Sequence, residues 1–154
     1  MMVKQFDILR KTRQYVLELI GDLSMEQLNE VPAGFTNNIV WNLGHMLASQ
    51  QGVCYLRGGL PLIIDEKYFL TYKPDSKPSD SVSPEYLEEV KTLFLSTIDQ
   101  MELDYNSNVF ANNPSWTNRY GVEHKNIDDT INFLLFHEGL HLGYIMALKR
   151  LVSK

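Results

Sequence analysis

Two histidines four residues apart, His137 and His141, sit inside a run from Ile127 to Arg150 that otherwise reads as a buried helix. At about 100° and 1.5 Å per residue, this spacing puts both imidazoles on one helical face, about 40° apart and one turn removed. The pair can share one metal ion. With Glu138 between them, the letters HEGLH also spell the zinc-protease signature, in which two His bind zinc and the Glu serves as general base to a bound water. That reading fails on the third ligand, which such proteases take from beyond the motif. The tail LGYIMALKRLVSK after His141 has no His, Asp, Glu or Cys. The remaining ligand of any metal must therefore come from upstream.

The rest of the chain supplies three more long helical patterns, separated by turn chemistry. In the first, Phe6, Leu9, Val16, Ile20 and Leu23 form a core-facing stripe with Arg13 as its one polar intruder. Ser24 followed by Gln27 is a capping box for a short extra turn before Pro32-Ala33-Gly34. The second helix starts at Asn37 or Asn38 as N-cap and runs to a Gly58-Gly59 stop. Relative to His45, a regular helix places Trp41, Ala48, Ser49, Gly52 and Leu56 within about 60°, with Leu43, Leu47 and Cys54 opposite. Apolar on both sides, it reads as a central helix. Ser83 as N-cap and Pro84 at the first helical position open the third helix, which continues to about Leu103. The fourth starts near Asn126, with Asp128 and Asp129 in its first turn and Lys149 and Arg150 in its last, the order the helix dipole favours.

Residues 60 to 82 form a long connection whose aromatics suggest packing over one end of the helices. Residues 104 to 126 show no helical periodicity, and no strand-like alternation is convincing. The economical architecture is an all-α, antiparallel four-helix bundle with two long connections. At 154 residues the expectation is one domain over 1–154.

Hydrophobic residues at 44% and charged residues at 21% fit a folded globular chain and exclude a disordered or fibrous class. A net charge of -5 gives no basic footprint for nucleic acid or an anionic membrane. The N-terminus lacks a signal-peptide core, no stretch reads as a membrane span, and the single Cys54 cannot form an internal disulfide. A cytoplasmic protein is the expectation.

Of the four His, three (His45, His137 and His141) lie on inward helix faces. A lone His on such a face is ordinarily a hydrogen-bonded core residue. Three together leave several polar nitrogens needing partners, whereas a metal satisfies one nitrogen of each ring and leaves the other for hydrogen bonding. Three neutral His also leave at least one coordination position open, as catalytic sites do. His124, in a polar segment before the fourth helix, reads as solvent-exposed or helix-capping. Glu138 projects about 60° from His141. It is either a carboxylate paired with a cation, Arg13 being the candidate, or a catalytic residue that orients a ligand or accepts a proton. Cys54 points away from His45 and reads as a small buried apolar residue. Trp41 is a core residue and pocket wall, and Tyr68, Tyr72, Trp116 and Tyr120 are candidates for a pocket mouth.

The sequence Trp41-Asn42-Leu43-Gly44-His45, followed by HEGLHLGYI from His137 to Ile145, resembles the DinB-like family of metalloenzymes. The likeness extends to SMEQLNEVPAGF and to NRYGVE before the last helix, and so covers most of the chain. It implies a four-helix bundle with a divalent ion, zinc or nickel, held by His45, His137 and His141, and pairing as a homodimer. Tyr144 departs from the family, where a Gln often follows the Gly. Characterised relatives include transferases and isomerases that use a low-molecular-weight thiol, so the resemblance implies transfer of a small thiol to an electrophilic small molecule. Metal-dependent hydrolysis with Glu138 as base, or a non-catalytic bundle binding a metal or small ligand, are the alternatives.

Overall fold

The computed structural model describes residues 2–154. They form the mostly helical, all-α fold that the periodicity leads one to expect. The long helices are α1 (Val3–Leu19), α3 (Ile39–Gln50), α5 (Pro84–Asn106) and α6 (Ile127–Val152), with two short ones, α2 (Met25–Asn29) and α4 (Glu66–Tyr72). Both α1 and α3 pack against α5 and α6, so the four long helices close a ring.

The starts of these helices follow from side chains that satisfy free backbone N–H groups. Asn38, Ser83 and Asn126 each accept a hydrogen bond from an N–H in the first turn of α3, α5 and α6, and Ser24 and Gln27 form the reciprocal capping box of α2.

The interior divides into two apolar regions. One contains Val16, Leu43, Phe94 and Ile145; the other contains Leu9, Cys54, Ile98 and Leu134. Between them in each helix's sequence lies a buried polar residue: Arg13 in α1, Gln50 in α3, Thr97 in α5 and Glu138 in α6. Arg13 donates to Glu138 Oε1 from Nε at 2.9 Å and from a terminal nitrogen at 2.5 Å. Its other terminal nitrogen donates to the Phe94 carbonyl at 2.6 Å and to Thr97 Oγ1 at 3.2 Å. The Gln50 amide donates to the Thr97 carbonyl at 2.9 Å and accepts from the Thr97 hydroxyl at 3.0 Å. One side chain from each long helix thus joins a single network. An axial slide or rotation of any helix would strand a buried charge or amide, so the layer specifies register.

Three features differ from the sequence expectation. The second helix does not run as a regular α-helix to Gly58. After Gln50 it widens into a π-helical turn over Gln51–Tyr55, tightens into a 3-10 turn over Leu56–Gly58, and ends at Gly59 in the left-handed conformation, φ 69°. The Asn-rich segment before α6 contains a two-stranded antiparallel ribbon, β1 (Trp116–Thr117) with β2 (Glu123–His124), too short for alternation to be visible. Finally, α6 is long and apolar enough to cross a membrane by length and composition, contrary to the reading that no stretch is. Its buried Glu138 is paired with Arg13, and its apolar side packs on α1 and α3.

Removing one partner from a buried ion pair strands the other charge in the core. Arg13→Met is therefore expected to destabilise the protein by about 3–5 kcal/mol, and adding Glu138→Gln to that variant should recover part of the loss. Denaturant melts check this. A loss below about 1 kcal/mol, the scale of an exposed pair, would contradict the role given to the layer.

Candidate metal centre

Every residue of α3 from Ile39 to Gln50 is buried, so His45 enters the interior with its surroundings fixed. One turn of contact sets its orientation. A Cβ added to Gly44 would lie 2.3–2.5 Å from the ring carbons of Tyr72, so only glycine lets α4 approach α3 this closely. That approach places the Tyr72 carbonyl 2.8 Å from His45 Nδ1. A carbonyl only accepts, so Nδ1 carries the proton and Nε2 keeps its lone pair. Trp41 stacks on the ring, with centroids 4.5 Å apart and planes 10° from parallel, and the Ser49 hydroxyl lies 3.3 Å from Nε2.

The same logic fixes His141. Its Nδ1 lies 2.8 Å from Asn42 Oδ1. The Asn42 amide nitrogen donates to the Asn38 carbonyl at 2.8 Å and to Asn37 Oδ1 at 3.0 Å, which leaves the amide oxygen to face the histidine. His141 Nδ1 therefore donates, and its Nε2 is the free ligand atom.

The third ring, His137, has a buried Nδ1 with no hydrogen-bond partner among the described residues. An orphaned ring nitrogen costs free energy unless another group binds it.

These three rings meet. Centroid separations are 4.9 Å for His45 and His141, 5.4 Å for His45 and His137, and 4.6 Å for His137 and His141. One ligand nitrogen from each lies within 4.8 Å of the other two. Burial pushes His137 down to about 3 and His141 to about 4, and it lowers His45 as well. Neighbouring rings and the positive Arg119 reinforce the shift at His137. All three are neutral at pH 7, the form that ligates. Neutral imidazoles, oriented tautomers and an unsatisfied nitrogen together fit a divalent ion.

The cluster opens on a cavity of about 540 Å³. The unusual course of the second helix shapes it. Trp41, His45, Ser49, Val53 and Arg57 all line it, one every four residues. In a regular α-helix each such step drifts by about 40°, which would carry Arg57 some 120° away from His45. The π turn absorbs an additional residue and brings the face back. Leu56, expected beside His45, is instead 41% exposed. Trp116 and Tyr120 line the mouth as expected, whereas Tyr68 and Tyr72 are buried outside this cavity.

Other expectations resolve as follows. Glu138, one residue from His137, is turned into the core onto Arg13 and does not line the cavity; its Oε2 has no partner among the described residues. His124 is buried and not exposed: it stacks on Trp116 at 4.4 Å, and its Nδ1 lies 3.2 Å from the Asp129 carbonyl. Cys54 is fully buried and burial pushes its thiol up, so it is no nucleophile. Asn42, Arg57 and Arg119 were not singled out in the sequence. An amide among the apolar residues that open the helix was the available signal for Asn42; nothing marked the two arginines.

Fold and site together define a helical protein with three His placed to hold a metal ion. The DinB superfamily model matches residues 8–145, and the chain belongs to that superfamily. No curated protein matches it.

Two outcomes follow from the lowered histidines and their anchors. Because the folded pKa values lie below the usual 6.5, the unfolded chain takes up protons first as pH falls. Metal-free protein should hold its stability above about pH 6.5 and lose on the order of a few kcal/mol towards pH 4. Chemical denaturation across that range checks it, and a flat profile would contradict the burial of neutral rings. Asn42→Leu removes the acceptor for His141 and should weaken zinc binding about 10–100-fold, as read by competition with a chromophoric chelator.

Proposed function

We propose that this chain is a divalent-metal enzyme acting on small molecules, with zinc or nickel held by His45, His137 and His141, and that it transfers a small thiol to an electrophile. The observation that carries this reading is the convergence of three neutral imidazoles at the floor of an open cavity. Three protein ligands are the number catalytic sites use when they keep a position for substrate, whereas structural sites close with four. A divalent ion there would act as a Lewis acid that lowers the pKa of a thiol or water occupying the open position.

The protein's own groups then divide the work. His45 and His141 present Nε2 because the Tyr72 carbonyl and the Asn42 amide hold the opposite nitrogens. Trp41 covers one face of His45 and excludes water from it. In the transfer, sulfur supplies the electron pair of the new S–C bond, the thiol proton passes to solvent, and the leaving group departs with the electrons of the broken bond. No protein thiol competes, since the chain's one cysteine, Cys54, is buried in the core.

Thiol transfer is favoured over hydrolysis by the position of Glu138. The hydrolytic alternative needs it as base, and its carboxylate faces Arg13. The resemblance to thiol-using relatives points the same way. A cytoplasmic location belongs to the same reading, and so does the absence of a nucleic-acid partner, which the net charge of -5 supports.

Elemental analysis of tag-free protein is expected to show about one divalent ion per chain, with most of it lost in His45→Ala and in His141→Ala. The loaded protein should consume electrophile only when a thiol is supplied. Equal metal content in all three proteins, or turnover of esters with no thiol requirement, would overturn the proposal.

A further inference from the structure

Two arginines stand at the cavity mouth without an ion-pair partner among the described residues. They are Arg57 and Arg119, and both line the cavity that holds the three histidines. The one acidic side chain on the same wall, Asp75, is not ion-paired with either of them. With two guanidinium groups against one carboxylate, the charged side chains of the cavity wall sum to a positive field before any metal binds.

Arg57 is also held in place, which an unused surface arginine seldom is. The guanidinium of Arg57 lies 4.4 Å from the centre of the Trp116 ring. That indole is braced in turn: its Nε1 donates to Thr130 Oγ1 at 3.0 Å, and its face stacks on His124. Arg57 itself reaches this wall because the π turn returns it to the His45 face. Arg119 sits in the turn that joins the two ribbon strands. There, Asn118 Oδ1 accepts from the N–H groups of Tyr120 and Val122 at 2.9 and 3.0 Å, and Gly121 takes φ 80°. Arg119 lines the same cavity as His45 and His137. Two guanidinium groups, one stacked on Trp116 and the other carried on a braced turn, each able to grip a carboxylate with paired N–H donors, therefore line the cavity that holds the metal position.

We propose that the thiol carries a carboxylate, and that Arg57 and Arg119 bind this group while its sulfur occupies the metal's open position. This rests on the reading of the site as a metal centre and adds the class of molecule it selects. Neutral and cationic thiols gain nothing from the arginines, and the cationic ones are repelled by them. The two residues act as specificity determinants and take no part in holding the metal.

The test uses protein loaded with cobalt, whose absorption reports sulfur ligation, titrated with 3-mercaptopropionate, 2-mercaptoethanol and cysteamine. The wild type should bind the carboxylate thiol at least about tenfold more tightly than the neutral one, the scale of one charge-assisted hydrogen bond. Arg57→Gln and Arg119→Gln should each shrink that preference, and the double variant should abolish it with cobalt content unchanged. Equal affinities in the wild type, or a preference that survives in the double variant, would overturn the assignment. Failure to bind cobalt would sink the metal reading instead. The arginines are then read separately, by the shifts of their Nε–H resonances when succinate is added to metal-free protein. Shifts of both resonances support the anion site, and their absence overturns it.

Discussion

A buried carboxylate that cannot leave its guanidinium organises this molecule. The pairing of Glu138 with Arg13, extended through Thr97 to Gln50, takes one side chain from each long helix. Polar groups withdrawn from water lose hydration that only correct partners restore, so such a layer tolerates one alignment where an all-apolar core tolerates several. The consequence reaches the site directly. Successive residues on a helix point about 100° apart, so turning Glu138 inward onto Arg13 fixes where its neighbour His137 must face. The layer that sets helix register thereby sets the geometry of the histidines.

Once the helices are aligned, the chemistry of the cluster depends on what lies behind each ring. An imidazole has two nitrogens, and an acceptor placed on one determines the use of the other. Backbone carbonyl and amide oxygens do this for His45 and His141 without adding charge. Burial then holds the rings neutral, and a neutral ring is both the less costly form in the core and the form that ligates. Gly44 serves this arrangement at one remove. Its missing side chain admits the Tyr72 ring, and the carbonyl of Tyr72 follows. Seen in this way, α4 is a strap that positions an acceptor and not an idle connection.

How much of this was legible in the sequence depends on whether the signal was local. Helix caps at Asn38, Ser83 and Asn126 were readable because they involve residues within one turn. The apolar stripes gave the long helices, and the rarity of histidine gave the three that converge, although no spacing could establish that α3 touches α6. Arg13 was legible as an intruder, and Glu138 as one of its possible partners. What stayed hidden was departure from regular geometry. A π turn leaves no distinctive composition, so the wheel that placed Leu56 beside His45 assumed a helix that the chain abandons at Gln51. Arg57 was missed for that reason. Arg119 and the buried His124 were missed because a ribbon of two residues per strand is held by loop hydrogen bonds around Asn118, which no periodicity announces.

The central claim is that the protein presents neutral imidazoles in a preset tautomer before any ligand arrives. Long-range proton–nitrogen correlation NMR on metal-free protein at neutral pH measures this directly, since the two nitrogens of each ring report separately whether they carry a proton. The account predicts protonated Nδ1 and bare Nε2 for His45 and His141 at neutral pH, with His141 unchanged down to at least pH 5.5 and His45 titrating below the ordinary histidine value. A proton on Nε2 of either ring, or full titration of both near the ordinary histidine value of about 6.5, would contradict it.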